Sequence, residues 1–108
     1  CTNKRQHLTN KIMKEFKLEG YFDLILGSSE QLQMKPSVQM LEFCLKKLEI
    51  KSSKQCIMIG DSDNDILPAS KLNMTSIYVK YGYGELSEKV VADYEVNKLE
   101  EIIDICNF

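Results

Sequence analysis

The run Cys56-Ile57-Met58-Ile59 is apolar at every position and stops on Gly60. A strand with one wet face alternates apolar and polar residues, whereas one without a polar position must hide both faces. Four residues are too few for a helix, and the polar stretch Lys51 to Lys54 bounds them on the other side. The run therefore predicts a strand over 55–59, central in a parallel sheet. Directly after it comes Asp61-Ser62-Asp63-Asn64-Asp65, three carboxylates in five residues. Crowding like charges at the end of a buried strand costs free energy through repulsion and desolvation, and a divalent cation would offset that cost. Oxygen donors of this kind suit Mg²⁺.

The remaining chain alternates helical and extended signals. Leu8, Ile12 and Phe16 stand four apart and predict one apolar helix face within Lys4 to Lys17, ended by Gly20. Tyr21 to Leu26 reads as a buried strand running into Gly27-Ser28-Ser29. Pro36 predicts a helix start, with Val38, Leu41, Leu45 and Leu48 as the buried stripe. After the acidic cluster a short helix to about Leu72 is expected, closed by Asn73. Thr75 to Val79 predicts a β-branched strand, Tyr81-Gly82-Tyr83-Gly84 a loop, and Val90 to Tyr94 a short edge strand. Asn97 with Glu100 resembles a capping box ahead of a last helix carrying Leu99, Ile102, Ile103 and Cys106. This order predicts an α/β fold, a parallel sheet with helices on both faces, as one domain over 1–108. Ligands of such sheets sit at the carboxyl ends of strands, and Thr2, Ser28 and Asp61 fall at or after such ends.

Composition narrows the function. A net charge of −2 gives no broad electrostatic case for nucleic acid or anionic membrane as a partner. No apolar run is long enough to span a bilayer. Cys1, Cys44, Cys56 and Cys106 show no metal-ligand spacing and fit buried thiols in a reducing cytosol, so a cytoplasmic location is expected. His7 is the sole histidine, which argues against a His-based triad or a multi-His metal site. The chain opens on Cys1 rather than methionine, which reads as a truncation.

Three groups of residues could carry chemistry. If a helix begins near Asp63, Asp65 turns back towards the strand end and joins Asp61, while Asp63 and Asn64 point elsewhere; a plain solvated turn capped by Ser62 or Asp63 is the alternative. An EF-hand loop fits worse, because Gly at its sixth position and Glu at its twelfth are missing. Lys35, in Met34-Lys35-Pro36, could hold a phosphate oxygen or pair with an aspartate; most lysines are instead solvated surface residues. Thr2 and Asn3, at the head of the first helix, could offer a hydroxyl and N–H groups to a phosphate, or serve as an ordinary helix cap.

Together these residues resemble the haloacid dehalogenase-like (HAD) superfamily. Its second motif, a strand ending in Ser or Thr, is matched by Cys1-Thr2-Asn3-Lys4. Its third, a lysine often followed by proline, is matched by Lys35-Pro36. Its fourth, Gly-Asp-Ser-x-x-Asp, is matched by Gly60-Asp61-Ser62-Asp63-Asn64-Asp65. The Thr-Asn-Lys start, Gly27-Ser28 and Tyr81-Gly82-Tyr83-Gly84 are similar to the phosphoglycolate phosphatase group. The resemblance implies a Rossmann-like core and an Mg²⁺-dependent phosphatase acting on a small phosphorylated metabolite through an aspartyl-phosphate. It implies that Thr2 and Asn3 bind the phosphoryl group, that Lys35 neutralises its charge, that Asp61 ligates Mg²⁺, and that Asp65 supports the metal's water shell or Lys35.

The family's first motif, Asp-x-Asp-x-Thr or -Val, supplies the nucleophile and has no match here, nor has the cap domain that follows it. The expectation is a C-terminal part of a HAD core, inactive by itself, with an unpaired apolar strand edge open to self-association. Pro68 departs from the pattern as well, since it falls where a helix should continue. A non-catalytic receiver-like or nucleotide-binding α/β module is the alternative, although receiver-like domains place their lysine late, and Lys35 precedes the acidic cluster here.

Overall fold

The computed structural model describes residues 1–107. They divide into two compact units, 1–51 and 52 onwards.

The second unit holds the sheet. Strands β1 (Ile57–Gly60), β2 (Thr75–Val79) and β3 (Tyr94–Val96) lie parallel in the order β1-β2-β3. The register pairs Ile59 with Ile77, and Ile77 with Tyr94. Helix α3 (Asp63–Lys71) links β1 to β2 and packs on both. Helix α4 (Glu101–Cys106) lays Ile102 against Ile77, Val79 and Val96, with Ile105 and Cys106 beside them. The parallel α/β class expected from the sequence is the observed one.

Four expectations for this unit need correction. Strand β1 starts at Ile57 because a 3-10 turn takes Ser53–Gln55. It is not central but stands at the sheet's edge, with Ile57 42% and Ile59 44% exposed, which is the unpaired apolar edge expected of the chain as given. The capping pair also shifts: Glu101, not Glu100, accepts from the Asn97 N–H at 3.3 Å, and the helix begins only at Glu101, which leaves Leu99 outside it and exposed. The third strand falls at Tyr94–Val96, with Val90 and Val91 in the loop before it. Pro68, by contrast, is simply absorbed. It removes the N–H that would reach the Asn64 carbonyl, yet Asn64 is exposed to solvent, and the helix runs on to Lys71.

The first unit carries α1 (Gln6–Glu15) and α2 (Gln39–Lys47) and no strand longer than a single bridge among its described residues. Tyr21–Leu26 is not a strand. Glu19–Tyr21 form a 3-10 turn, and Tyr21 and Phe22 are exposed. Extended pairing begins only at Leu26, whose carbonyl accepts from Thr2 at 2.9 Å, and continues with Ser28 N–H to the Lys4 carbonyl at 2.8 Å. The stripe Leu8, Ile12 and Phe16 is exposed, and α1 buries Thr9 instead, whose hydroxyl donates to the Arg5 carbonyl. Helix α2 begins at Gln39, three residues after Pro36, and buries Met40 and Leu41 while Leu48 is exposed.

Helix endings follow one rule in both units. Lys17, Glu49 and Asn73 each adopt a positive φ (55°, 56° and 58°) just past α1, α2 and α3. The next N–H reaches back into the helix: Leu18 to the Met13 carbonyl, Ile50 to Leu45 and Met74 to Ala69. These are Schellman closures, which satisfy carbonyls the helix end would leave bare. Asn73 was expected in that role. Gly20 does not end α1, because Lys17 has already turned the chain.

Candidate active site

In the first unit, Lys35 is 7% exposed and thus no solvated surface lysine. Burying an ammonium demands hydrogen-bond partners, and its Nζ donates to the Cys1 carbonyl at 3.1 Å. Its backbone is held with equal care. Asn3 Nδ2 donates to the Lys35 carbonyl at 2.8 Å, and the Lys35 N–H donates to Asn3 Oδ1 at 2.9 Å. The Lys35-Pro36 peptide is cis. The Asn3 side-chain amide thus positions the lysine, and neither bond uses the Asn3 backbone N–H expected to meet a phosphate. Thr2 does not cap α1, whose capping position is Arg5; Thr2 Oγ1 accepts from the Lys4 N–H at 3.2 Å. The structure thus brings Thr2, Asn3 and Lys35 together through hydrogen bonds of the chain between Cys1 and Lys4. Cys44 is half-buried; burial pushes its thiol pKa up, against the pull of Lys35.

In the second unit, β1 ends on Gly60 and α3 begins at Asp63, with Ser62 at the capping position but without a capping bond from its side chain. Starting the helix there makes Asp65 face back. It is 8% exposed, and its Oδ2 accepts from the Asp61 N–H at 3.1 Å. Gly60 permits this, since a methyl on it would overlap the Asp65 carboxylate. Asp63 turns away and accepts from the Ser87 N–H at 2.9 Å and from the Ser87 hydroxyl. Those two bonds hold the Asp63 carboxyl below the usual carboxylate range.

Asp61 is held differently. Its Oδ2 accepts from the Tyr83 N–H at 2.9 Å and the Gly84 N–H at 3.1 Å. Both bonds end on one oxygen, leaving Oδ1 for another partner. Sequence reasoning placed Tyr81 to Gly84 in a loop without assigning it contacts; its closely spaced glycines were the only hint. Among the described residues no group of three or more His, Cys, Asp or Glu side chains converges as a metal site. Asp61 offers a carboxylate oxygen, with the Asp65 carboxylate turned back onto the Asp61 N–H. That arrangement fits Mg²⁺, which keeps several waters and takes one or two carboxylates, better than ions that need a full protein cage.

A family model described as haloacid dehalogenase-like hydrolase matches residues 1–79. The chain is 34% identical over 104 residues to a phosphoglycolate phosphatase of Chromobacterium violaceum, covering 96% of this chain and 46% of that protein. It is 31% identical over 90 residues to a glyceraldehyde 3-phosphate phosphatase of Methanocaldococcus jannaschii, covering 82% of this chain and 39% of that one. The crystal structure of a "predicted phosphatase" from Clostridium acetobutylicum superposes with a TM-score of 0.82 at 32% identity, over 98% of this chain and 50% of that one. The chain spans about half the length of the curated relatives it matches.

Proposed function

Because this chain belongs to the haloacid dehalogenase-like hydrolases, we propose that it forms the phosphoryl-holding and metal-holding part of an Mg²⁺-dependent phosphatase that hydrolyses small phosphate monoesters, phosphoglycolate-like acids among them. The observation that carries this reading is the pair Asp61 and Asp65: one carboxylate has an oxygen left for a cation, and the other is turned back onto the first one's backbone. The substrate class is taken from the relatives named phosphoglycolate phosphatase and glyceraldehyde 3-phosphate phosphatase.

In this reading Thr2 donates its hydroxyl to a phosphoryl oxygen. Lys35 keeps its ammonium beside the same group and offsets the negative charge that gathers in the transition state. Its burial favours the task, since a charge shielded from water acts more strongly. Asp61 Oδ1 would hold Mg²⁺, with Asp65 steadying the metal's waters; the bound ion would supply charge neutralisation for phosphoryl transfer. An aspartate not found among residues 1–108 takes the phosphoryl group as the alcohol leaves, and water then hydrolyses the acyl phosphate.

The test assays the full gene product, and the 108-residue chain alone, against 2-phosphoglycolate and p-nitrophenyl phosphate with and without Mg²⁺. Turnover by the full product that ends on chelation is expected, with none from the chain alone. A full product without Mg²⁺-dependent turnover overturns the reading, and turnover by the chain alone overturns the external nucleophile.

A further inference from the structure

The loop after β2 is tied to the acidic segment at several points. Tyr83 and Gly84 donate their N–H groups to Asp61 Oδ2, and Ser87 donates both its N–H and its hydroxyl to Asp63. A further bond fixes the loop to the sheet: the Tyr78 hydroxyl donates to the Gly84 carbonyl at 3.4 Å. Gly84 is therefore held through the peptide groups on both sides of its Cα, N–H towards the carboxylate and C=O towards β2.

The two glycines are required for space rather than for an unusual backbone, since no glycine in the chain has a positive φ. A methyl on Gly82 would overlap Asp61 Cβ and Oδ2, and one on Gly84 would overlap the Asp61 carbonyl oxygen and come within 2.7 Å of Ser62 Cβ. The loop backbone lies directly on the aspartate, closer than any other residue type permits.

We infer that the segment Gly82 to Ser87 is a positioning element for Asp61, a backbone cradle that grips Oδ2 and so fixes the direction in which Oδ1 meets the cation. A carboxylate free to spin about its Cβ–Cγ bond must be ordered each time a metal binds. One held by two N–H donors is ordered beforehand, and hydrogen bonds to a ligating carboxylate set its orientation and basicity. The inference rests on the proposed metal role of Asp61. It adds that Tyr83 acts through its main chain, because its side chain is fully exposed.

The experiment is Mg²⁺ titration of the full gene product by calorimetry, beside its melting temperature without metal. Gly82→Ala should bind Mg²⁺ about tenfold more weakly, the lower end of what a lost partner of a metal ligand costs. Its metal-free melting temperature should fall as the loop shifts off Asp61 while unfolding stays cooperative, and its turnover should recover as Mg²⁺ is raised. Ser87→Ala, an exposed change at the cradle's far anchor, should fold normally and weaken binding about threefold, the scale of an exposed ionic contact. If Gly82→Ala does not fold, Ser87→Ala decides the matter. Wild-type affinity in whichever variant decides overturns the cradle and leaves the metal reading standing. A wild-type protein that takes up no Mg²⁺ overturns the metal role of Asp61 and the cradle with it.

Discussion

The two units hold their charged residues by different means. In the second, Asp61 and Asp65 stand at the end of a strand backed by a parallel sheet and the Ile77, Val79, Val96 and Ile102 core. Close backbone approach, allowed by Gly60, Gly82 and Gly84, then sets their direction. In the first, Lys35 has no sheet behind it. Leu8, Ile12, Phe16, Tyr21, Phe22 and Phe43 are all exposed, and its buried apolar residues are Leu26, Met40 and Leu41. Polar bonds to Cys1 and Asn3 hold the lysine. Packing makes a site tolerant of losing one bond, whereas a site made of bonds is sensitive to each.

The sharpest way to break this comparison is at the charges themselves. Lys35→Ala should cut turnover of the full product by about two orders of magnitude or more, the range for a lost electrostatic stabiliser; steady-state assay checks it, and near-normal turnover would return Lys35 to a structural role. Asp61→Asn should bring a comparable loss with weakened Mg²⁺ dependence, while Asp63→Asn, which faces Ser87, should lower activity only a few-fold. Equal losses from the two aspartates would count against the division of roles.

Stability separates the units more finely. Asn3→Ala leaves the Lys35 N–H and carbonyl without their partners, at a cost of about 1–3 kcal/mol. Urea unfolding of the 108-residue chain should register that loss, and an unchanged midpoint would show that the first unit has other means of holding Lys35. In the second unit the acid limb is informative. The Asp63 carboxyl is lowered in the folded chain by its Ser87 bonds, so the clasp persists at and above the ordinary carboxylate range and is lost as pH falls through the depressed value. The Ser87 amide resonance, followed by NMR in acid, should move only there; a change nearer neutrality would contradict the assignment. The smallest effect lies at the helix ends, where Glu49→Gly should raise stability by up to about 1 kcal/mol by relieving a left-handed residue with a side chain.

The same contrast explains what could be read from the sequence. Asp61 and Asp65 were legible because their spacing is local: four residues, one strand end and one helix start. Asn73 was legible for the same reason. Tyr21 to Leu26 misled, because an apolar run states that residues prefer burial and does not say what is present to bury them; without a neighbouring strand, Tyr21 joins a 3-10 turn. The Leu8, Ile12 and Phe16 stripe misled in the same way. The grip of Tyr83 and Gly84 on Asp61 joins residues 22 and 23 apart. No periodicity encodes such a contact, and only the glycines hinted at a backbone that must come close. Likewise, nothing in Cys1-Thr2-Asn3 announced that Asn3 would face Lys35, 32 residues on.

That pair has a consequence for chemical ageing. The Asn3 carboxamide presents one donor and one acceptor in a plane, just as a peptide group does, and so gives Lys35 the rung that a neighbouring strand would have offered. Deamidation of Asn3 exchanges the donor for a second, negatively charged acceptor. The new oxygen then confronts the Lys35 carbonyl, acceptor against acceptor, and the counterfeit rung becomes a repulsion. A change of one atom, with almost no change in shape, would loosen the lysine while every apolar contact in the molecule stayed as it was.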